Sequence, residues 1–142
     1  MSTESYPSSP RVELDGLPYF PRLCEKARLH GAGELHPELI DNLGKGMDLW
    51  MCQFLGVEYE ALKAEILNGA SNEQALQFAK ENGVSRPDYE RDWFLAYLQK
   101  RGFRDNLSEK LQMRVAELET EAKDGIKTFF DYIDVDEGRT LD

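Results

Sequence analysis

The 142-residue sequence contains few thiols and few imidazoles, with only two cysteines and two histidines. Cys24 and Cys52 belong to no C-x-x-C motif, and the N-terminus is polar without an apolar signal segment. Together with His30 and His36 they lack the close ligand pairs of zinc fingers. We therefore expect reduced, buried thiols, no metal site and no cofactor. A disulfide between the two cysteines is the less favoured alternative.

The sequence also lacks long apolar runs and an excess of positive charge. No run approaches the roughly 20 apolar residues that a membrane-spanning helix needs. Lysine and arginine total 17 against 27 aspartates and glutamates, and the net charge of −10 opposes binding to a phosphate backbone. We expect a cytoplasmic protein without nucleic-acid or membrane partners, whose acidic surface maintains solubility or meets a basic partner.

Strand signals and internal repeats are missing as well. No stretch alternates apolar and polar residues for more than about four positions, and no segment of roughly 20–50 residues recurs. Apolar residues instead recur at helical spacing between glycine stops. The sequence predicts an all-α fold, a single irregular helical bundle of about seven to eight helices with no sheet. Its expected parts are an extended N-terminal arm (1–18), a helical domain (19–134) and an acidic C-terminal tail (135–142).

Several helices are predicted from their apolar patterns and their ends. Met47–Leu55 follows a glycine-rich turn and is too apolar for a surface helix, so we expect it at the centre of the core. The pattern Ser71-x-x-Gln74 predicts a capping box at the start of another helix. The expected core face of a later helix comprises Trp93, Phe94, Tyr97 and Leu98.

A long, charged helix is predicted from Asp105 or Asn106 to Lys123, with an apolar stripe over Leu107–Ala122. This stripe packs against its own domain, or it forms the seam of a homodimer or a groove for a partner helix. The sequence therefore leaves both a monomer and a homodimer open.

Basic residues cluster around the glycine-rich turn despite the negative net charge. Arg22 and Lys26 are one helical turn apart, and Arg28 is close by. Lys45 lies in the turn itself, and Asp48 begins the next helix. If the first helix packs beside the turn, cations and helix-start N–H groups would surround a phosphate or carboxylate. We therefore predict these five residues as the binding site of a small anion.

Two alternatives compete with an anion site. The first, which the residues favour over an anion site, is that the cations pair internally, with Asp48 clamped to the basic cluster, as is common in packed helices. Otherwise the protein is an enzyme in which Arg22, Lys26 and Lys45 hold a small anionic substrate and Asp48 is the acid or base. The turn lacks the spacing of a P-loop, so nucleotide hydrolysis is not supported. Asp48 is thus the one catalytic candidate.

The acidic stretch 131–138 partly matches a calcium loop. Its glycine stands one position early, however, and no bidentate glutamate follows at the twelfth place. We therefore expect a solvated tail without a metal ion.

A set of short motifs in fixed order gives the chain a family resemblance. The motifs are Leu17-Pro18, Pro21-Arg22 with Lys26-Ala27-Arg28, Gly46-x-Asp48, Phe54-Leu55-Gly56-Val57, Asn82-Gly83, Lys100-Arg101-Gly102, Thr128-Phe129-Phe130-Asp131 and Asp134-x-Asp136-Glu137-Gly138-Arg139. Across about residues 10–139 the chain resembles a bacterial family catalogued as domain of unknown function 5069. It departs from the family pattern at Cys24-Glu25 and Phe78. The resemblance implies bacterial origin and a small helical domain, and it supplies no catalytic residues.

The leading hypothesis is accordingly a small, non-catalytic binding or interaction module whose partner is a small anion or a protein. The enzyme on a small anionic substrate and the structural homodimer through Leu107–Ala122 are the alternatives.

Overall fold

The structure is a computed structural model that describes residues 5–120 and 122–141. The chain divides into two compact units, Met1–Pro87 and Asp88–Asp142, which we describe separately. Unit 1 contains a two-stranded sheet and five helices within its described residues. Its elements are β1 (Glu13–Leu14), β2 (Leu17–Pro18), α1 (Phe20–Gly31), α2 (Pro37–Ile40), α3 (Met47–Leu55), α4 (Tyr59–Leu67) and α5 (Asn72–Asn82).

The expected absence of a sheet is wrong, although the fold is mainly helical as predicted. β1 and β2 form an antiparallel hairpin in which Leu14 pairs with Leu17. The connecting residues Asp15 and Gly16 both have positive φ, 54° and 74°, as a two-residue hairpin turn of the Asp-Gly type requires. Each strand is only two residues long, which is too short for an alternating pattern to reveal.

The core of unit 1 is organised around α1. This helix buries a run of side chains on most of its circumference and packs against α4, α5 and β1. Phe20, Leu23 and Ala27 are fully buried, and Ala75 and Ala79 of α5 are small enough to let helices approach closely. The capping box predicted at Ser71 and Gln74 is present at the start of α5.

The sequence-based expectation that α3 forms the centre of the core is wrong. One face of α3 is buried through Met51, Cys52 and Leu55, and this face packs on α4. Leu49 is 40% exposed and Gln53 is exposed, so the opposite face meets solvent. High hydrophobicity of the segment therefore did not distinguish a half-buried helix from a central one.

Unit 2 contains three α-helices and one 3-10 turn within its described residues. They are α6 (Asp88–Lys100), α7 (Ser108–Ala116), the turn Ala122–Gly125 and α8 (Phe129–Asp136). α8 packs against both α6 and α7, and its start carries a capping box formed by Thr128 and Asp131. The carbonyl of Arg101 accepts a hydrogen bond from the N–H of Phe129 at 2.9 Å, which ties α8 to the end of α6.

α7 is shorter than predicted at both ends. Asp105 accepts hydrogen bonds from the N–H groups of Gly102 and Leu107, so its carboxylate closes a turn before the helix begins at Ser108. α7 ends at Ala116, whose carbonyl accepts a 3.4 Å hydrogen bond from the Lys123 ammonium. Leu111 is buried on the unit's own side of the helix, and Leu107–Ala122 is not one continuous helical seam.

Among the described residues, each helix is either too short or too polar to traverse a lipid bilayer.

Candidate functional site

The predicted meeting point of the first helix and the glycine-rich turn contains a buried carboxylate held by three donors. The Tyr19 hydroxyl donates to Asp48 Oδ1 at 2.6 Å, and Lys26 Nζ donates to the same oxygen at 3.1 Å. The N–H of Gly44 donates to Asp48 Oδ2 at 3.0 Å. Lys26 Nζ also lies 3.3 Å from the Tyr19 hydroxyl oxygen. We call these four residues the Asp48 cluster.

Local backbone geometry brings the Asp48 cluster together. Tyr19 precedes α1 with φ at 74°, a left-handed conformation, and seven residues later Lys26 lies on the same side of the helix. Gly44 also has positive φ, 74°, which lets the turn aim its N–H at the carboxylate. Asp48 occupies the first turn of α3, where the helix dipole favours a negative charge.

Burial sets the electrostatics of the cluster. Asp48, Tyr19 and Lys26 are 0%, 3% and 4% exposed. Burial first, and the negative charge of Asp48 second, raise the pKa of Tyr19 well above its ordinary value. Tyr19 is therefore a hydrogen-bond donor throughout the neutral range. A buried lysine and a buried aspartate are stable only when they form an ion pair and their hydrogen bonds are satisfied. The Asp48 cluster supplies both the ion pair and the hydrogen bonds.

A second tyrosine, Tyr59, borders the cluster. Its ring packs on Gly44, where an added Cβ would lie 2.9 Å from Tyr59 Cδ2. Burial first, then the charge of Asp48, raises the pKa of Tyr59 above its ordinary range. The Tyr59 hydroxyl is buried, and it has no hydrogen-bond partner within the part of the chain that the structure describes.

The other predicted anion-binding residues have further contacts in the fold or face solvent. Arg22 is buried and donates from Nη1 to the carbonyl of Ser8 at 3.0 Å. Arg28 donates to Asn72 Oδ1 and to the carbonyl of Ala70. Lys45 is exposed. Of the five predicted residues, the structure therefore joins Lys26 and Asp48 directly, through an ion pair.

The buried cysteines are poor nucleophiles. Cys24 and Cys52 are free thiols with 0% and 1% exposure. Burial is the largest cause that raises the pKa of each thiol to about 12. A thiol that stays protonated at neutral pH neither attacks an electrophile nor ligates a metal efficiently.

The described residues contain no group of three or more histidine, cysteine, aspartate or glutamate side chains placed to hold a metal ion. In the acidic stretch that partly matches a calcium loop, Asp131 caps α8, while Asp134 and Glu137 both accept hydrogen bonds from Arg139. These carboxylates are engaged in local structure.

A cavity of about 340 Å³ lies beside α3 and the start of α4, lined in part by Leu49, Cys52 and Tyr59.

Unit 2 carries an exposed row of aromatic side chains on α6. Tyr89, Trp93 and Tyr97 are four residues apart, and they are 56%, 68% and 46% exposed. The rings of Tyr89 and Trp93 meet edge to face with centroids 5.1 Å apart, while the Arg101 guanidinium lies 4.7 Å from the Tyr97 ring centroid. We call these three residues the aromatic face. The expectation that Trp93 and Tyr97 are core residues is wrong, since Leu98 is the one buried residue of α6.

Comparison with known proteins supports the resemblance seen in the sequence. The family model described as Domain of unknown function (DUF5069) matches residues 4–139. The chain belongs to this family. Neither a curated protein nor a solved structure matches it.

The motifs on which the family resemblance rests include Lys26 and the Gly46-x-Asp48 segment, and the structure joins Lys26 and Asp48 in one buried cluster. Sequence reasoning missed Tyr19, the third member with a charged or polar side chain. Its seven-residue separation from Lys26, two helical turns, was the available signal. It also missed the exposure of Trp93, because apolar residues occupy most sides of α6 and leave the buried face ambiguous.

Proposed function

We propose that this protein is a non-catalytic interaction module and that the aromatic face of α6 is its binding surface. The observation that carries the proposal is the 68% exposure of Trp93 between two further exposed aromatic residues. Exposed clusters of large apolar side chains mark interaction sites, and tryptophan and tyrosine dominate the energetic centres of protein interfaces.

The chemistry of unit 1 supports a role without catalysis. Asp48 receives three hydrogen bonds from its own chain, so a substrate would have to displace Lys26 or Tyr19 before using the carboxylate. A general acid or base must instead lie within hydrogen-bonding reach of its substrate. The Cys24 and Cys52 thiols are buried and protonated at neutral pH. The small-anion site and the enzyme remain predictions that need this cluster to open.

Affinity capture followed by reconstitution tests the proposal. Immobilised wild-type protein, a Trp93→Ser variant and a Leu67→Ser variant would each be exposed to the same cell extract. Leu67 is 48% exposed on α4 and serves as a matched apolar control outside the aromatic face. Any protein retained by the wild type would then be purified and its Kd measured for all three chains.

We expect Trp93→Ser to weaken binding by about 30-fold, because truncating an aromatic residue at an energetic centre costs about 2 kcal/mol. Leu67→Ser should change Kd by less than about twofold. The proposal is overturned if the purified partner binds wild type and Trp93→Ser equally. It is also overturned if no protein, including a second copy of this chain, binds through the aromatic face.

A further inference from the structure

We infer that the aromatic face of α6 docks against α6 of a second copy, with the two helices antiparallel about a twofold axis. This inference rests on the proposed function, because it identifies the partner of the same surface. It differs from the homodimer predicted through Leu107–Ala122, which would use the region of α7 in place of α6.

The exposed side of α6 has the spacing of a helix-pairing seam. Tyr89, Trp93, Ala96 and Lys100 follow one another at four, three and four residues, and all four are exposed. Spacing of this kind keeps a single stripe of side chains facing a partner helix. Ala96 is the smallest of them, so it marks the point where a second helix can approach most closely.

The two ends of this side carry opposite charges. Asp88 and Asp92 are exposed near the start of α6, whereas Lys100 and Arg104 are exposed at or beyond its end. Within the described residues, Asp88, Asp92 and Lys100 form no ion pair or hydrogen bond through their side chains. Charged groups at both ends of the seam are therefore available to a partner.

An antiparallel pair satisfies these charges with a surface that complements itself. A twofold axis makes the same patch serve both copies, so the acidic start of one helix lies beside the basic end of the other. A parallel pair would instead place Asp88 and Asp92 beside the same two carboxylates of the second copy. Like charges in contact across an interface oppose binding, and the antiparallel orientation is favoured.

The same axis also matches large side chains to small ones. If it passes midway between Trp93 and Ala96, each indole lies opposite the alanine of the other copy. Asp92 then lies within about one helical turn, roughly 5 Å along the axis, of Lys100 in the second copy. Such a distance is within reach of the flexible lysine side chain.

The size of the seam predicts a weak, reversible dimer. A stable interface buries about 800 Å² on each partner, whereas α6 offers one face of a 13-residue helix. We therefore expect association that rises with protein concentration. Because the flanking charges are exposed, salt should weaken it.

Sedimentation velocity of the 142-residue chain over a range of concentrations tests the inference. The experiment compares wild type with variants in which the charge at Asp92 or at Lys100 is reversed. Asp92→Lys alone places a lysine near Lys100 of the second copy, and Lys100→Glu alone places a glutamate near Asp92 of the second copy. Each variant should weaken self-association by about tenfold or more, because its own copies now repel one another. An equimolar mixture should regain dimers with a Kd within about threefold of wild type, since each chain then meets its charge complement.

Two controls separate the seam from general effects of charge. Lys110→Glu changes charge by the same amount on an exposed lysine of α7, and it should leave self-association unchanged. Trp93→Ser should abolish dimers while keeping the charges. Circular dichroism of each variant confirms that its helices remain folded.

The inference is overturned if wild type stays monomeric at every concentration, if the mixture fails to recover, or if dimers persist equally in all variants. These failures differ from failure of the proposed function. A monomeric chain whose aromatic face still binds another purified protein in a Trp93-dependent way retains the proposed function and loses only the second copy as partner.

Discussion

Tyr19 and Asp48 are separated by 29 positions in the chain and joined by a 2.6 Å hydrogen bond in the interior. Tyr59 lies beside the same carboxylate, yet its buried hydroxyl has no hydrogen-bond partner among the described residues. The two tyrosines therefore share a buried environment, but only the Tyr19 hydroxyl forms a hydrogen bond to a described residue. That difference decides how much each hydroxyl contributes to the stability of the fold.

Removing these two hydroxyls should have different effects on stability. Tyr19→Phe takes a donor from a buried carboxylate and should lower the free energy of unfolding by about 1–3 kcal/mol. Tyr59→Phe removes a buried polar group without a partner and should leave stability unchanged or raise it by about 1 kcal/mol. Urea unfolding followed by Trp50 fluorescence in a Trp93→Phe background reports on unit 1. An equal decrease in the free energy of unfolding for both variants would contradict the difference in hydrogen bonding between the two hydroxyls.

The Lys26–Asp48 pair should be strongly coupled. Lys26→Met leaves a buried carboxylate without its counter-ion and should cost about 3–5 kcal/mol. The double variant Lys26→Met, Asp48→Leu should cost less than the sum of its single changes, by about 0.5–3 kcal/mol. A double-mutant cycle on urea unfolding energies measures that difference.

The protein offers a matched control for this cycle. Lys80 and Asp15 form an ion pair at 2.9 Å with 51% and 62% of their side chains exposed. The same cycle on Lys80→Met and Asp15→Leu should give a coupling below about 1 kcal/mol, because solvent screens an exposed pair. Similar couplings for the two pairs would show that burial does not govern the interaction.

Stability should fall in alkaline solution. Burial raises the pKa of both Cys24 and Cys52 from 9.0 to about 12, so the unfolded chain loses these protons at lower pH than the native chain. The contribution of the two protonated thiols to the free energy of unfolding is fully present below pH 9 and is lost as pH rises towards 12. The urea concentration at the unfolding midpoint is measured at several pH values. Its decline with rising pH should be shallower in the Cys24→Ala, Cys52→Ala variant than in wild type. An identical slope in that variant would exclude the thiols as its cause.

Gly83 should tolerate no side chain. An added Cβ would overlap the carbonyl oxygen of Leu55, which also accepts a 2.9 Å hydrogen bond from the N–H of Val84. Gly83→Ala should therefore cost about 2 kcal/mol or more by forcing backbone to move. Gly33→Ala is the control: its φ is positive at 73° but nothing lies within 4 Å, so it should cost about 1 kcal/mol from strain alone. Thermal unfolding compares the two, and a smaller loss at Gly83 would refute the overlap.

The predictable parts of this fold are those encoded by nearby residues. The capping box of Ser71 and Gln74 locates the start of α5 from sequence alone. The hairpin at Asp15-Gly16 was missed because its strands are too short to alternate, although the Asp-Gly pair is itself a turn signal.

Features that depend on distant contacts were harder to predict. The sequence brought Lys26 and Asp48 into one candidate site and favoured an internal pair over an external anion, but it did not identify which residues pair. That choice depends on how closely α1 and α3 approach, which no local pattern encodes. The exposure of Trp93 was missed because a helix with apolar residues on most sides does not reveal its buried face.

The Asp48 cluster also has a consequence for protein engineering. Asp48→Ala would leave the Tyr19 hydroxyl, the Lys26 ammonium and the Gly44 N–H facing a space the size of a carboxylate. Formate has the matching charge and shape, and its binding to the native state would raise the melting temperature of that variant by mass action. Wild type should show no such rise, and chloride at equal ionic strength should not substitute. The Asp48→Ala substitution would thereby create a binding site in which formate replaces the missing carboxylate.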